Sequence, residues 1–268
     1  MPGFAPAILA IALVLLLPQC AEARGRREAL AAGFTFTRHE LAVLVEGAPA
    51  ETRQLVLASP RSFLDLLQRV MDGAPDLLVL VDKTHGLPRE SEPPDLVLLS
   101  RFAIAGSRKD FRLRALAIPD LRAMMEAAAR AGAPLVVSSA YRSYDYQEGL
   151  YARSVAAKGK EQTDRELASP GHSQHQLGTV IDFGSIDLAF AKTTAGRWLF
   201  ANASRFGFSL SFPQGGESLT GYTYEPWHYR YMGRDAAALI DSYFSTRQHA
   251  FLSWYHGQRD FLREHRKK

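Results

Sequence analysis

Cysteine is nearly absent from this 268-residue chain: Cys20 is the only one. A lone cysteine excludes an intramolecular disulfide framework, a thiolate zinc finger and CxxC redox chemistry, so any metal must be held by His and carboxylate groups. Net charge is also small, +4 from 32 Lys+Arg against 28 Asp+Glu. That balance, with 47% hydrophobic and 22% charged residues, is not that of a disordered chain. It also lacks the basic stripe that a phosphate-tracking surface needs, so no nucleic-acid partner is expected. There are no internal repeats, and no H-E-x-x-H zincin motif, because His39-Glu40 is followed by Leu-Ala-Val.

Long apolar runs are equally scarce. Phe4 to Leu17 spans fourteen residues, short of the roughly 20 that one bilayer crossing takes. It has the length of a signal-peptide core, and Ala21-Glu22-Ala23 supplies small residues where a signal peptidase reads. Cys20 stands where a bacterial lipoprotein carries its lipid, although Leu17-Pro18-Gln19 is a poor lipobox, and Met1-Pro2-Gly3 lacks the usual positive start. Three outcomes stay open: cleavage after Ala23, lipidation of Cys20, or a retained membrane anchor. Each places the protein outside the cytoplasm, periplasmic or at the cell surface.

The length suits one or two domains. Residues 24–75 read as an N-terminal extension packed on a main domain of residues 76–245, with a helical period in Phe63, Leu64, Leu66, Leu67, Val70 and Met71. Leu77 to Val81 has strand length, and a Pro/Glu/Ser-rich loop separates it from Asp95-Leu-Val-Leu-Leu. Pro119 opens a helix that Gly132 is placed to end; Leu135-Val136-Val137 is a buried strand, Tyr144 to Ala157 a helix, and 158–168 a polar, mobile connection. Gly178 to Phe183 reads as a strand, Gly196 to Arg205 as a helix stopped by Gly207, and Phe208 to Phe212 and Tyr222 to Tyr231 as strands. The mixture predicts an α+β fold with a mostly antiparallel sheet and flanking helices. Residues 246–268 form a basic, aromatic tail, with a docked terminal helix as the default and an arm toward anionic polymers or lipid head groups as the alternative.

Chemistry concentrates in two short segments, Ser173-Gln-His175-Gln-Leu-Gly178-Thr-Val-Ile-Asp182 and Glu225-Pro-Trp-His228. A catalytic zinc takes three His or carboxylate ligands and leaves a fourth position for water, and His175, Asp182 and His228 make such a set. Glu225 is the free carboxylate suited to accept the water's proton and pass it to the leaving amine. Taken singly, each of these residues has an ordinary structural explanation. Their combination and order do not.

That order resembles the VanY-type zinc D,D-carboxypeptidases, the peptidase family that also holds the D-alanyl-D-alanine dipeptidases. The segment Ser139-Ala-Tyr141-Arg142-Ser-Tyr144, with Gln147 three residues on, is similar to a third family motif, and the likeness runs over about residues 76–245. Thr179-Val180 departs from the small or aliphatic pair usual there, with no ligand lost. The resemblance implies a D,D-peptidase (hedgehog-like) fold with the zinc site on the sheet. It implies Zn2+ on His175, Asp182 and His228, Glu225 as catalytic base, and Arg142 stabilising the oxyanion. Ser173 and Gln147 would line the substrate site, and Tyr141 and Trp227 would wall it. His172 falls outside the ligand set and is expected to be exposed or behind the ligands.

The expected activity is removal of the terminal D-alanine from peptidoglycan stem peptides by attack of a zinc-bound water. An endopeptidase acting on a cross-link or an L-Ala-D-Glu bond, and a non-catalytic wall-binding module, are the alternatives. Serine D,D-peptidases need S-x-x-K and K-T-G, and Lys83-Thr84-His85 is the nearest approach to the second. The expected partners are stem peptides, with membrane association only through the N-terminal segment or a lipid on Cys20, and the chain is expected to be a monomer.

Overall fold

The computed structural model describes residues 30–267; the proposed signal, Cys20 and the start of the extension lie outside them. Two apolar cores organise these residues.

The first core is helical. Thr37 caps α1 (Arg38–Leu44) through a capping box with Glu40. After α2 (Ala50–Ala58), Pro60 opens α3 (Pro60–Asp72), whose Phe63, Leu64, Leu66, Leu67, Val70 and Met71 are all buried. This face packs against two C-terminal helices, α8 (Arg234–Tyr243) and α9 (Gln248–His265), around Phe251, Trp254 and Tyr243. The aromatic tail is therefore a docked helix: Trp254 Nε1 donates to the Leu44 carbonyl at 3.0 Å, and Phe63 meets the Trp254 ring edge-on.

The second core lies under a four-stranded antiparallel sheet of order β3-β4-β6-β5. Its strands are β3 (Val137–Ser139), β4 (Val180–Phe183), β5 (Phe208–Leu210) and β6 (His228–Tyr231). Helices α4 (Ile118–Arg130) and α7 (Thr194–Asn202) cover one face with Leu121, Met124 and Leu199. A separate hairpin, β1 (Leu96–Leu98) with β2 (Arg112–Arg114), precedes the sheet. The architecture is the expected mixture of helices and antiparallel sheet.

Several elements differ from the sequence expectation. Leu77 to Val81 is not a strand but a 3-10 turn, Pro75–Leu78, and an irregular continuation. The reason lies far away in the chain: Arg230, wholly buried on β6, donates to the Leu77 and Val79 carbonyls at 2.8 Å, taking the groups a sheet would have used. Residues 158–168 are not a mobile connection, since α5 (Tyr144–Lys158) breaks at Gly159 (φ 81°) and α6 (Lys160–Glu166) follows at once. Thr163 of α6 is buried and meets Ser154 of α5 at 3.0 Å, and Lys158–Glu166 and Lys160–Asp164 pairs brace the corner. The strand expected from Tyr222 begins only at His228, because Pro226 has no N–H to give and the His228 N–H turns back to the Glu225 carbonyl at 3.2 Å. Likewise β3 starts at Val137; Leu135 is buried, but Val136 faces out.

Candidate metal and peptidase centre

Register does the first part of the assembly. β4 is buried along its whole length, and Asp182 pairs with His228 across β6 and with Ser139 across β3. Directly opposed residues on antiparallel strands bring their side chains together, so the carboxylate and the imidazole need no further loop to meet. His175 arrives from a 3-10 turn, Gln174–Leu177, just before β4. Ser173 caps that turn by accepting the His175 N–H at 3.3 Å, and Gly178 closes it at φ 66°, where a Cβ would lie 2.8 Å from Leu96 Cδ2. Arg142 follows β3, its N–H donating to the His175 carbonyl at 3.3 Å. Glu225 is set by the Pro226 turn that leads into β6, with its N–H on the Phe212 carbonyl at 3.1 Å.

The side chains converge. His175 Nε2 lies 3.2 Å from Asp182 Oδ2, His228 Nδ1 lies 3.1 Å from Asp182 Oδ1, and Glu225 Oε2 lies 3.3 Å from His228 Nδ1. The Arg142 guanidinium stands 3.8 Å from Asp182 Oδ2. All three of His175, Asp182 and His228 are buried, and one donor atom from each falls within 4.8 Å of the others.

Burial is the largest influence on every one of these groups. It pushes His175 down to about 4, with Arg142 adding to the effect, so this imidazole is neutral. Burial also raises the Glu225 carboxyl above its ordinary range, against the pull of His228. For Asp182 burial acts upward, yet the two histidines more than offset it and hold the carboxylate well below its usual value. His228 is raised to about 9, its desolvation outweighed by Asp182 and Glu225. Burial also lowers Arg142, while Asp182 and Glu225 pull it back.

These donors fit a zinc ion. His175 Nδ1 lies 2.6 Å from the Ala140 carbonyl, which only accepts, so the proton sits on Nδ1 and the Nε2 lone pair points inward. That lone pair is buried without a hydrogen-bond partner and lies 3.2 Å from Asp182 Oδ2. Two electron-rich groups at this separation need a cation between them, and a neutral imidazole oriented through its other nitrogen by a carbonyl is the usual state of a metal-ligating His. Two His nitrogens and a carboxylate oxygen are the ligand types zinc takes in an open catalytic site.

The centre opens into a cavity of about 350 Å³. Arg142, Gln147, Ser173, Glu225 and Trp227 line it together with the three candidate ligands. Gln147 is buried, donates to the Ala168 carbonyl at 2.7 Å and leaves Oε1 unpartnered. Tyr141 is not among the lining residues; it carries the Arg112 guanidinium on its ring and lines a neighbouring groove. His172 lines the cavity but stands outside the ligand group.

Comparison with known proteins agrees with this geometry. Residues 110–234 match the family model described as VanY: D-alanyl-D-alanine carboxypeptidase. The chain is also 32% identical over 190 residues to the bifunctional D-Ala-D-Ala dipeptidase and D-Ala-D-Ala carboxypeptidase VanXYC of Enterococcus gallinarum, covering 67% of this chain and 93% of that protein. The chain belongs to the VanY family.

Two solved structures of this kind share the fold. The LdcB LD-carboxypeptidase superposes with a TM-score of 0.61 at 33% identity, covering 68% of this chain and 87% of that one. A VanY D,D-pentapeptidase variant in complex with Zn(II) superposes with a TM-score of 0.56 at 29% identity, covering 66% and 99%. Against two other relatives, from Bacillus subtilis and Enterococcus faecalis, the chain spans only 63% and 61% of their length.

The cavity of this VanY-family chain also has walls that no motif announced. Phe212 packs against the His228 ring at 4.8 Å between centroids, and Tyr222 meets Phe212 at 4.9 Å in a tilted arrangement beneath the Lys83 ammonium. Ser138, Tyr146, Leu150 and Ile186 complete the rim. Tyr146 and Leu150, one turn apart on α5, are the two that helical spacing could have grouped.

Proposed function

We propose that this protein is a zinc-dependent D-alanyl-D-alanine carboxypeptidase that removes the terminal D-alanine from peptidoglycan stem peptides. The observation that carries the proposal is the buried His175, Asp182 and His228 cluster with Glu225 and Arg142 at its edge, in a chain of the VanY family.

When bound, zinc supplies Lewis acidity that brings the pKa of a water near about 7. The rest falls to this chain's own residues. Glu225, desolvated and raised in pKa, accepts the proton of the attacking water and later delivers it to the nitrogen of the departing D-alanine as the C–N bond breaks. Arg142 brings a fixed cation to the place where the carbonyl oxygen gains charge, its Nε unpaired until substrate arrives. Gln147 offers its unpartnered Oε1, Ser173 holds the turn that carries His175, and Trp227 forms part of the wall. The apolar segment of residues 4–17 supports export, which brings the enzyme to the wall where stem peptides lie.

The test is incubation of the mature protein with a pentapeptide stem ending in D-Ala-D-Ala, with and without chelator, read by mass spectrometry. Loss of one alanine, abolished by chelation and restored by zinc, is the expected result. Release of a dipeptide, cleavage only of a tetrapeptide stem, or binding without cleavage would each replace the proposal with another specificity or with a wall-binding module.

A further inference from the structure

We propose that His172 contacts substrate directly, its Nε2 accepting a hydrogen bond from a peptide N–H of the stem peptide. The inference deepens the peptidase reading above and rests on it.

The ring is held in one tautomer and one orientation. His172 Nδ1 lies 2.7 Å from the Asp82 carbonyl, an acceptor only, so Nδ1 carries the proton and Nε2 a lone pair. Gly86 packs on the face of the ring: a Cβ there would lie 2.9 Å from Cε1, 3.0 Å from Nε2 and 3.4 Å from Nδ1. Gly86 thus holds the ring from that side, and only a residue without a Cβ fits there. His172 lines the cavity that contains the metal cluster, and no group among the described residues pairs with Nε2.

The support behind His172 is itself braced. The Asp82 carboxylate accepts the Thr84 N–H at 2.7 Å, the His85 N–H at 2.8 Å and His85 Nδ1 at 2.9 Å, and the Asp82 N–H returns to the His85 carbonyl at 3.1 Å. The turn 82–87 thus fixes the carbonyl that fixes the imidazole, although none of these residues belongs to the metal cluster. A preorganised acceptor loses little freedom on binding.

The substrate supplies the matching demand. A peptide drawn into the cavity loses water from its N–H groups as well as from its carbonyls. Arg142 serves a carbonyl, and outside the metal cluster Gln147 Oε1 and His172 Nε2 are two cavity acceptors without a partner among the described residues. A buried N–H left unpaired weakens binding by about tenfold or more.

The test uses the zinc-loaded mature enzyme and a D-Ala-D-Ala pentapeptide. His172→Ala should raise KM roughly tenfold while kcat stays within about threefold and zinc content is unchanged. His172→Gln, which restores an acceptor at similar reach, should recover part of the loss. Gly86→Ala, which leaves His172 in place but pushes its ring, should raise KM in the same direction. An unchanged KM in His172→Ala, or loss of zinc from it, overturns the inference. A second readout does not depend on turnover: in zinc-loaded Glu225→Ala, the ¹⁵N resonance of His172 Nε2 should shift when the pentapeptide is added, and a resonance that stays still overturns it. An inactive wild type alongside that shift would overturn the carboxypeptidase reading alone.

Discussion

His175 Nε2 faces Asp182 Oδ2 at 3.2 Å while the opposite nitrogen of the same ring is tied to the Ala140 carbonyl at 2.6 Å. The backbone just past β3 therefore decides which nitrogen of His175 is left to bind a cation. Asp182, held on a strand buried along its full length, cannot turn away from it.

Removing the metal should cost stability as well as activity. Without a cation, the lone pair of a neutral His175 and the Asp182 carboxylate are left facing one another in a buried site. Zinc at a hundred times its Kd stabilises a protein that binds it only when folded by about 2.7 kcal/mol. Calorimetry with and without chelator should show a lower Tm for the stripped protein, reversed by zinc. Asp182→Asn should lose both the zinc and the zinc-dependent rise in Tm.

Glu225 should separate binding from turnover. Its carboxylate lies 3.3 Å from His228 Nδ1 but is not one of the three clustered ligands. Glu225→Ala is expected to keep zinc and peptide binding and to lose at least about 10²-fold in kcat, the scale of a positioned general base. A zinc-loaded Glu225→Ala with near-normal kcat would remove Glu225 from that role.

The turn around Asp82 gives a pH signature apart from the metal cluster. Burial alone would raise its carboxyl, but hydrogen bonds from Thr84 and His85 hold it at about 2, below the ordinary 3.8. A carboxyl depressed by folding contributes stability that is full above its unfolded pKa and is lost as the pH falls through the folded value. The turn should accordingly stay closed above about pH 4 and open as the pH approaches 2. Hydrogen exchange at the Thr84 and His85 amides reads this directly, and Asp82→Ala should show the open-turn rates already at neutral pH.

The His175, Asp182 and His228 cluster was legible in the sequence as a candidate because two short segments carry it, and strand register does the rest. A short, largely apolar run ending in Asp182 and a His228 just beyond a proline are local signals, and antiparallel pairing sets them opposite one another. What stayed hidden depends on contacts distant in sequence. Leu77 to Val81 has the composition of a strand, yet Arg230, about 150 residues on, claims its carbonyls. The polar stretch 158–168 looks solvated until Thr163 is seen packed against Ser154. Tyr141 sits inside a motif but turns to Arg112, because alternate residues leaving a strand point to opposite sides.

The two cores should respond differently to damage. Phe251 is fully buried in the helical core and meets Phe244 and Trp254 ring to ring, with no contact to the metal cluster. Phe251→Ala should cost about 3–5 kcal/mol, the price of deleting a buried aromatic side chain. Arg230 instead joins the cores: it neighbours Tyr229 and His228 on β6 and donates to the chain that runs up from α3. Arg230→Met would strand the buried Leu77 carbonyl at about 1–3 kcal/mol and the partly buried Val79 carbonyl at less, and loosen the strand that holds His228. Denaturant melts should therefore find both variants destabilised, while zinc titration of the still-folded proteins should find affinity unchanged in Phe251→Ala and weakened in Arg230→Met. Equal zinc affinities in the two would show that β6 holds His228 without help from the segment beneath it.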